Sequence, residues 1–300
     1  MSLTRRRFCC LATGAAIAGP RLVRGETQLR RVPSTGSPVP PVGLGTWITF
    51  NVGNDEGLRR DRLEVMRAFF GLGGGMIDSS PMYGSSEDVV GWCLERLGPQ
   101  PDLVSATKVW TRGRERGIAQ MNESARLWGV DAFDVMQVHN LVDWRTHLDT
   151  VLEWKADGRV RHVGITTSHG MRHAEMERIM NEAPIDFVQL TYNVLDREAE
   201  RRLLPLAAER GIGVIVNRPF RRGALFDPVA DAPLPGFAGE LDCRSWAEIF
   251  IKFIVSHPAV TCAIPATTRV DHLRENMRGG VGPMPDRELR QRMADHVASL

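Results

Sequence analysis

The sequence lacks three features that would each indicate a different kind of protein. No G-x-G-x-x-G run follows a strand-like segment, which excludes a dinucleotide site of the Rossmann type. The N-terminal apolar run from Phe8 to Ala18 is too short to cross a bilayer. Low-complexity tracts and long linkers are also missing, so the chain does not divide into separate modules.

Cysteine is scarce and irregularly placed. Cys9 and Cys10 lie in the N-terminal segment, and Cys93, Cys243 and Cys262 are scattered through the rest of the chain. Three scattered cysteines form no disulfide framework. We expect these three to be buried apolar residues without a bridge.

Positive and negative charges are nearly balanced, with 38 Lys and Arg residues against 36 Asp and Glu residues. The formal net charge of +2 includes five arginines that precede the first acidic residue, Glu26; they are Arg5, Arg6, Arg7, Arg21 and Arg24. Removing the first 24 residues would lower the net charge by 5, to −3. A chain near neutrality gives no reason to expect nucleic acid or an acidic membrane as a partner.

The N-terminus has the pattern of an export signal. Thr4-Arg5-Arg6-Arg7-Phe8 fits the twin-arginine pattern, and Ala16-Ile17-Ala18 is a cleavage site of the small-x-small type, with Gly25 as a later alternative. We predict a twin-arginine signal over residues 1–25 and a single domain over residues 26–300. The protein would then be periplasmic and would contact the membrane only during export. A disordered basic tail is the alternative, and a vestigial signal would leave the protein in the cytoplasm.

Strand-like and helix-like segments alternate through the rest of the chain. Eight short apolar runs are each followed by a helical pattern; the runs begin near Val42, Met76, Leu103, Phe133, Arg161, Phe187, Gly213 and Val260. Three hundred residues with 43% apolar content can form one sizeable core. Eight strand–helix units with short loops favour an α/β fold of the (β/α)₈ barrel type over an open sheet.

Two segments stand outside this alternation. Leu29–Pro33 and Val39–Pro41 flank a turn and weakly predict a β-hairpin. The longer loop from Phe220 to Leu241 is rich in Pro, Gly and Ala, and is a candidate for a lid or for a strap over a cofactor.

Polar side chains stand at the ends of three successive predicted strands. These residues are Asp78, Lys108 and His139, and Tyr83 follows Asp78 in the next loop. The carboxyl ends of barrel strands face the active site. Tyrosine titrates near 10 in water and becomes a useful proton donor when a nearby cation lowers its pKa. Taken singly, a buried ion pair and a surface tyrosine are the commoner interpretations, but together the four residues favour an acid–base site.

This arrangement resembles the Asp, Tyr, Lys and His tetrad of the aldo-keto reductase family, and the resemblance extends from about Leu29 to the last helix. It implies a (β/α)₈ TIM barrel whose small N-terminal hairpin closes the barrel floor. It also implies an oxidoreductase that reduces aldehydes or ketones to alcohols by hydride transfer from NAD(P)H. In such an enzyme Asp78 would hold Lys108, and Lys108 would lower the pKa of Tyr83. His139 would orient the substrate carbonyl while Tyr83 donates the proton.

The resemblance further implies that the nucleotide lies across the barrel mouth. Gln189 and the pair Thr166 and Thr167 match residues that contact the nicotinamide amide, and Pro219–Leu225 matches the loop over the pyrophosphate. The implied cofactor-binding residues are Gly45, Thr46, Trp47, Thr166, Thr167, Gln189, Asn217, Arg218, Phe220, Arg222, Arg269, Glu275 and Asn276.

Two residues depart from the family pattern. Asn217 stands where most relatives place an aromatic ring under the nicotinamide. Ala266 replaces the lysine that grips the 2′-phosphate, which leaves Arg269 as the main candidate for that phosphate. We expect NADP(H) to be favoured and NAD(H) to be possible.

The predicted substrate pocket is lined by Trp47, Met82, Trp110 and Asn140, with Phe220 as a further candidate. Aromatic walls with few polar groups favour small apolar or aromatic aldehydes and ketones as partners. Core packing is the alternative role for each of these apolar side chains. The chain ends soon after the last barrel helix, so we expect no long C-terminal specificity loop and therefore broad specificity.

Two other functions fit parts of the sequence. A nucleotide-binding sensor or partner subunit on a reductase scaffold would need no steady turnover, which suits a compartment that is not expected to regenerate NADPH. A Schiff-base lyase would use the amine of Lys108, although Asp78 would keep that amine protonated. We predict no metal site, because His169 and His173 are four residues apart at a helix start but have no evident third ligand.

Overall fold

The computed structural model describes residues 29–300, and the predicted signal over residues 1–25 lies outside them. Eight parallel strands form a sheet in which each strand pairs with its neighbour in the chain. Parallel bridges from Val42 to Ala263 and from Gly45 to Ala266 join the first strand to the last, which closes the barrel. The strands are β3 Leu44–Gly45, β4 Met76–Asp78, β5 Val104–Val109, β6 Phe133–His139, β7 Val160–Thr166, β8 Phe187–Thr191, β9 Gly213–Asn217 and β10 Val260–Ala263.

Helices follow the strands and cover the outside of the barrel. They are α1 Glu56–Gly71, α2 Ser86–Leu97, α3 Arg114–Trp128, α4 Trp144–Ala156, α5 His173–Glu182, α6 Leu203–Arg210, α7 Phe237–Glu240, α8 Trp246–Val255, α9 Val270–Arg278 and α10 Arg287–Ala298. Their apolar faces pack against the outward-facing strand residues in one continuous core, because strand side chains alternate between the two faces of the sheet. No helix within residues 29–300 is long and apolar enough to cross a membrane.

A hairpin precedes the barrel, as predicted, and closes its floor. Its strands are β1 Arg30–Arg31 and β2 Pro38–Val39, which pair antiparallel. Val32 and Val39 of the hairpin pack against a second core inside the barrel; this core includes the strand residues Met76, Ala106, Val135, Phe187, Ile215 and Cys262. The floor of the barrel is therefore apolar, and the polar residues lie at the opposite end, where the strands terminate.

The predicted fold is confirmed, with differences at element boundaries. The helical pattern expected after the run near Phe187 is divided into a 3-10 turn, Glu198–Arg201, and α6. The loop after Phe220 contains a 3-10 turn at Arg221–Gly223 and the short helix α7. Helix α10 was not separately predicted.

The three cysteines of the barrel are buried, as expected, and their thiols are free. Burial raises the pKa of the Cys93 thiol to about 12. These thiols are therefore inert packing groups rather than nucleophiles.

Candidate active site

A buried ion pair lies where β4 and β5 end. Lys108 Nζ donates to Asp78 Oδ2 at 2.6 Å and to the carbonyl oxygen of Ser79 at 2.7 Å. The Lys108 side chain is 0% exposed and that of Asp78 is 2% exposed. Burial alone would lower the pKa of Lys108, but the charges and hydrogen bonds of Asp78 and Tyr83 together outweigh burial, so the pKa of Lys108 is raised. Lys108 is therefore a fixed ammonium ion, which disfavours the Schiff-base chemistry considered above.

Two buried amides hold the other oxygen of Asp78. Gln189 Nε2 donates to Asp78 Oδ1 at 2.8 Å, and Gln137 Nε2 donates to the same oxygen at 3.1 Å. The network continues outward, because Asn217 Nδ2 donates to Gln189 Oε1 at 3.4 Å and to the Thr167 carbonyl oxygen at 2.9 Å. Charge-assisted hydrogen bonds of this kind hold a buried carboxylate in one position.

Tyr83 ends a short 3-10 turn, Pro81–Tyr83, in the loop after β4. The hydroxyl of Ser80 caps this turn by accepting from the Met82 N–H at 3.2 Å. Lys108 Nζ lies 4.8 Å from the centroid of the Tyr83 ring. The two residues are therefore adjacent, as the tetrad requires.

The direction of the pKa shift at Tyr83 differs from the one predicted. Burial raises the pKa of Tyr83 above its ordinary value, and the nearby charge of Lys108 only offsets part of that rise. The sequence shows which charge neighbours the tyrosine but not how deeply the phenol is buried. The phenol is consequently protonated at neutral pH, which is the state that a proton donor needs.

His139 completes the group at the end of β6. Its ring stands edge-on to that of Tyr83, with centroids 5.7 Å apart, and its Nδ1 lies 2.9 Å from Ser80 Oγ. Burial, with a smaller effect from Lys108, lowers the pKa of His139 well below its usual value. The imidazole is therefore neutral and can donate one hydrogen bond.

A cavity of about 430 Å³ opens above these groups at the barrel mouth. It is lined by three tetrad residues, Asp78, Tyr83 and His139; Lys108 lies behind Tyr83 and does not line it. Ten other predicted residues line it: Thr46, Trp47, Met82, Asn140, Thr166, Gln189, Asn217, Arg218, Phe220 and Arg222. The predicted residues that do not line it are Gly45, Thr167, Trp110, Arg269, Glu275 and Asn276.

Trp110 is not a wall of this cavity, contrary to the prediction. Its side chain is 41% exposed, and its backbone N–H donates to Gln120 Oε1 at 2.6 Å. Trp110 lies beyond the end of β5, so the alternation that points Lys108 inward does not govern it.

The loop after β9 presents basic groups to the cavity. Arg218 and Arg222 have left-handed backbone conformations, with φ of 52° and 62°. The Arg222 guanidinium stacks over the Trp47 indole at 4.1 Å from the ring centroid. Arg218 Nε is buried and has no hydrogen-bond partner within residues 29–300. An unpaired guanidinium nitrogen on the cavity wall fits an anionic group of a bound nucleotide.

The residues expected to hold the adenosine end lie outside the cavity. Arg269 Nε donates to Asp271 Oδ1 at 3.0 Å, and its Nη2 binds the other oxygen of the same carboxylate. This pair raises the pKa of Arg269 and lowers that of Asp271. Glu275 and Asn276 lie on α9, and Asn276 is buried.

Two side chains that hydrogen-bond to the tetrad were not predicted. Gln137 is two positions before His139 on β6, so both side chains point to the same face, and this spacing was an available signal. Ser80 is in the loop, where spacing gives no such signal.

The described residues contain no cluster of three or more His, Cys, Asp or Glu side chains that could bind a metal. His169 Nδ1 instead lies 2.8 Å from Ser168 Oγ, and His173 Nδ1 lies 3.9 Å from Glu198 Oε2.

A closed parallel barrel with a buried Asp–Lys pair, a protonated tyrosine and a neutral histidine at its mouth defines an acid–base enzyme. The model of the Aldo/keto reductase family matches residues 41–292. The chain belongs to that family, and it is an NAD(P)H-dependent oxidoreductase.

Curated relatives are moderately similar to this chain. The Aldo-keto reductase YhdN of Bacillus subtilis is 28% identical over 212 residues, which are 65% of this chain and 62% of that protein. The Methylglyoxal reductase YeaE of Escherichia coli is 26% identical over 79% of this chain and 84% of that protein. Among solved structures, an aldo/keto reductase from Klebsiella pneumoniae in complex with NADP and acetate has a TM-score of 0.72 and 22% identity. That match covers 87% of this chain and 92% of the other, and it supports the fold.

Proposed function

We propose that this protein reduces small aldehydes and ketones to alcohols, with Tyr83 as the proton donor. One observation carries the proposal: buried Asp78 binds Lys108, and Lys108 lies against the face of the Tyr83 ring. Tyr83 lines the same cavity as His139. These groups can hold and deliver one proton to a carbonyl oxygen in the cavity.

His139, Tyr83 and Lys108 have separate roles in this reduction. Neutral His139 donates a hydrogen bond to the carbonyl oxygen and so orients it towards the phenol. Tyr83 donates its proton to the alkoxide as it forms, and the fixed positive charge of Lys108 stabilises the resulting phenolate. A reduced nicotinamide nucleotide, when bound, supplies the hydride.

Residues of the cavity wall would hold that nucleotide. Arg218 and Arg222 line the cavity and would contact its phosphates, and Thr166 lies beside the amide network. Gln189 lines the cavity, but its amide already bonds Asp78, so its contact with the nicotinamide amide stays a prediction. NADP(H) is the favoured nucleotide, in line with the nucleotides named for similar structures from Klebsiella pneumoniae.

The substrate class follows from the cavity wall. Trp47 and Met82 give it apolar faces, and Asn140 adds a polar group near His139. Small apolar or aromatic carbonyl compounds fit such a lining. Two relatives from Escherichia coli are named methylglyoxal reductases, which adds a small 2-oxoaldehyde to the compounds worth testing.

The proposal extends to the location of the protein. The twin-arginine pattern at Arg5 and Arg6, followed by a short apolar run, supports export of the folded chain to the periplasm. Fractionation of cells that produce the full chain, and the same chain with both arginines changed to lysine, would test this. An unchanged distribution between the two would reject it.

The catalytic proposal is tested by the absorbance at 340 nm of NADPH or NADH with a panel of aromatic aldehydes and methylglyoxal. The matched variants are Tyr83→Phe and Tyr192→Phe, since Tyr192 is the chain's other tyrosine and bonds Glu200, away from the cavity. We expect turnover in the native protein and Tyr192→Phe, and its loss in Tyr83→Phe. Nucleotide binding without turnover on any carbonyl would favour the sensor or partner-subunit function instead.

A further inference from the structure

Ser80 lies between the two groups that would act on the substrate oxygen. It is fully buried, two residues after Asp78, and its hydroxyl caps the turn that carries Tyr83. The same oxygen lies 2.9 Å from His139 Nδ1. One serine thus contacts both the turn that presents the donor and the ring that orients the carbonyl.

The hydrogen bonds of this hydroxyl can be assigned from its capacity. A serine hydroxyl has one hydrogen to donate and two lone pairs. Its oxygen already accepts from the Met82 N–H, at 3.2 Å, so its hydrogen remains for another partner. The only acceptor within hydrogen-bond distance among residues 29–300 is Nδ1 of His139.

This assignment determines the tautomer of His139. A neutral imidazole has one N–H and one acceptor nitrogen. If Nδ1 accepts from Ser80, the hydrogen must be on Nε2, which has no protein partner within residues 29–300 and belongs to a ring that lines the cavity. The opposite tautomer would leave the Ser80 hydrogen unused in a buried site, which is costly, and would present an acceptor to a carbonyl oxygen.

We propose that Ser80 is a positioning residue that holds His139 in the Nε2–H tautomer, so that the histidine donates to the substrate carbonyl. This inference deepens the proposed function and rests on it for its kinetic consequence. The assignment of the tautomer itself does not depend on turnover.

The test combines two-bond ¹H–¹⁵N correlation spectra with steady-state kinetics on native protein, Ser80→Ala and Ser80→Cys. The His139 signals are identified by their absence in His139→Asn. We expect the Nε2–H pattern in the native protein and the appearance of the Nδ1–H pattern in Ser80→Ala. We also expect kcat to fall about tenfold while KM changes by less than about twofold, because Ser80 acts through a group that matters most in the transition state. Ser80→Cys, with a weak S–H donor, should be intermediate.

A control separates the tautomer from the loss of a cap. Ser245 caps α8 by accepting from the Glu248 N–H at 3.3 Å and does not line the cavity. Ser245→Ala should lower the melting temperature but leave kcat and the His139 spectrum unchanged.

Three results would overturn the proposal. They are an Nδ1–H pattern in the native protein, a Ser80→Ala variant whose kcat stays within twofold of native, and a loss of kcat in Ser80→Ala with the Nε2–H pattern intact. If Ser80→Ala does not fold, Ser80→Cys decides by the same criteria. Because the native spectrum is read without substrate, failure of the tautomer assignment is distinguishable from failure of the proposed carbonyl reduction.

Discussion

The ammonium nitrogen of Lys108 lies 4.8 Å from the centre of the Tyr83 ring, inside a barrel mouth where the lysine has no access to solvent. The charge is thus fixed beside the phenol before any substrate binds, so little reorganisation is needed when the phenolate forms. Burial still raises the pKa of Tyr83. The lysine limits the rise in the pKa of the buried phenol, but it does not bring that pKa below the value of tyrosine in water.

This balance predicts the pH dependence of the two reaction directions. Reduction needs the protonated phenol, which is present below the raised pKa of Tyr83. The kcat for reduction should therefore be nearly constant through the neutral range and fall only above about pH 10. Alcohol oxidation needs the phenolate and should rise with pH over the same alkaline range. A kcat for reduction that already falls between pH 6 and 8 would contradict this.

Removing Lys108 should destabilise the fold as well as stop catalysis. Lys108→Met leaves the buried carboxylate of Asp78 without its cation, and breaking a buried ion pair in this way costs about 3–5 kcal/mol in the free energy of unfolding. The double variant Asp78→Asn with Lys108→Met should recover much of that loss. Urea denaturation measures both changes.

Lys155 supplies the matched control for this stability change. Its Nζ lies 2.6 Å from Asp186 Oδ2, the same distance as in the buried pair, but its side chain is 33% exposed. Lys155→Met should cost less than Lys108→Met, because the lysine that is removed is partly solvated, and the Asp186 carboxylate that remains, although only 6% exposed, still accepts from the Val163 N–H and the Ser34 hydroxyl. Equal losses for the two lysines would show that burial is not the deciding factor.

Met82 and Trp110 test where the substrate lies. Both are exposed apolar side chains near the barrel mouth, but only Met82 lines the cavity. Met82→Ala should raise KM for an aromatic aldehyde about tenfold, in line with the loss of one apolar contact. Trp110→Ala should leave KM within about twofold. The reverse pattern would place the substrate beside Trp110, which the sequence analysis named with Met82 among the pocket walls.

The tetrad was predictable because strand ends are visible in the sequence. The residues Asp78, Lys108 and His139 each stand at or next to the end of a strand-like run, and the barrel brings successive strand ends together. The same rule could have found Gln137 but not Ser80, because loop residues have no fixed direction relative to the sheet.

Features that depend on packing between distant elements were not predictable. Helix α10 docks through Arg290, which binds Glu200 at 2.9 Å and also contacts Tyr192. These residues are about 90 positions apart in the chain, so no local pattern connects them. The raised pKa of Tyr83 has the same origin, because burial depth is a property of the whole fold.

The exposed pair of Arg269 and Asp271 predicts a change in nucleotide affinity. Asp271 engages the guanidinium that is the main candidate for a 2′-phosphate, and its own negative charge would repel that phosphate. Asp271→Asn should tighten NADPH binding about three- to tenfold, more at low than at high ionic strength, and leave NADH binding nearly unchanged. Glu56→Gln, which alters an exposed pair with Arg60 on α1, is the control. Equal effects on both nucleotides in a titration would exclude a role at the 2′-phosphate.

Stability should decline at acidic pH through His257. Burial, aided by the charge of Arg290, lowers the pKa of His257 to about 4, whereas an unfolded histidine titrates near 6.5. Between these values the unfolded chain binds one proton more than the folded chain, so the free energy of unfolding falls as pH falls from about 6.5 to 4. The slope is at most about 1.4 kcal/mol per pH unit and is reduced by the partial exposure of the ring.

His257 Nδ1 also accepts from the Ala259 N–H at 3.2 Å, and His257→Asn keeps an acceptor there. Urea denaturation across this range should show a shallower pH dependence for His257→Asn than for the native protein or the exposed His272→Asn; parallel curves would mean that other groups cause the decline.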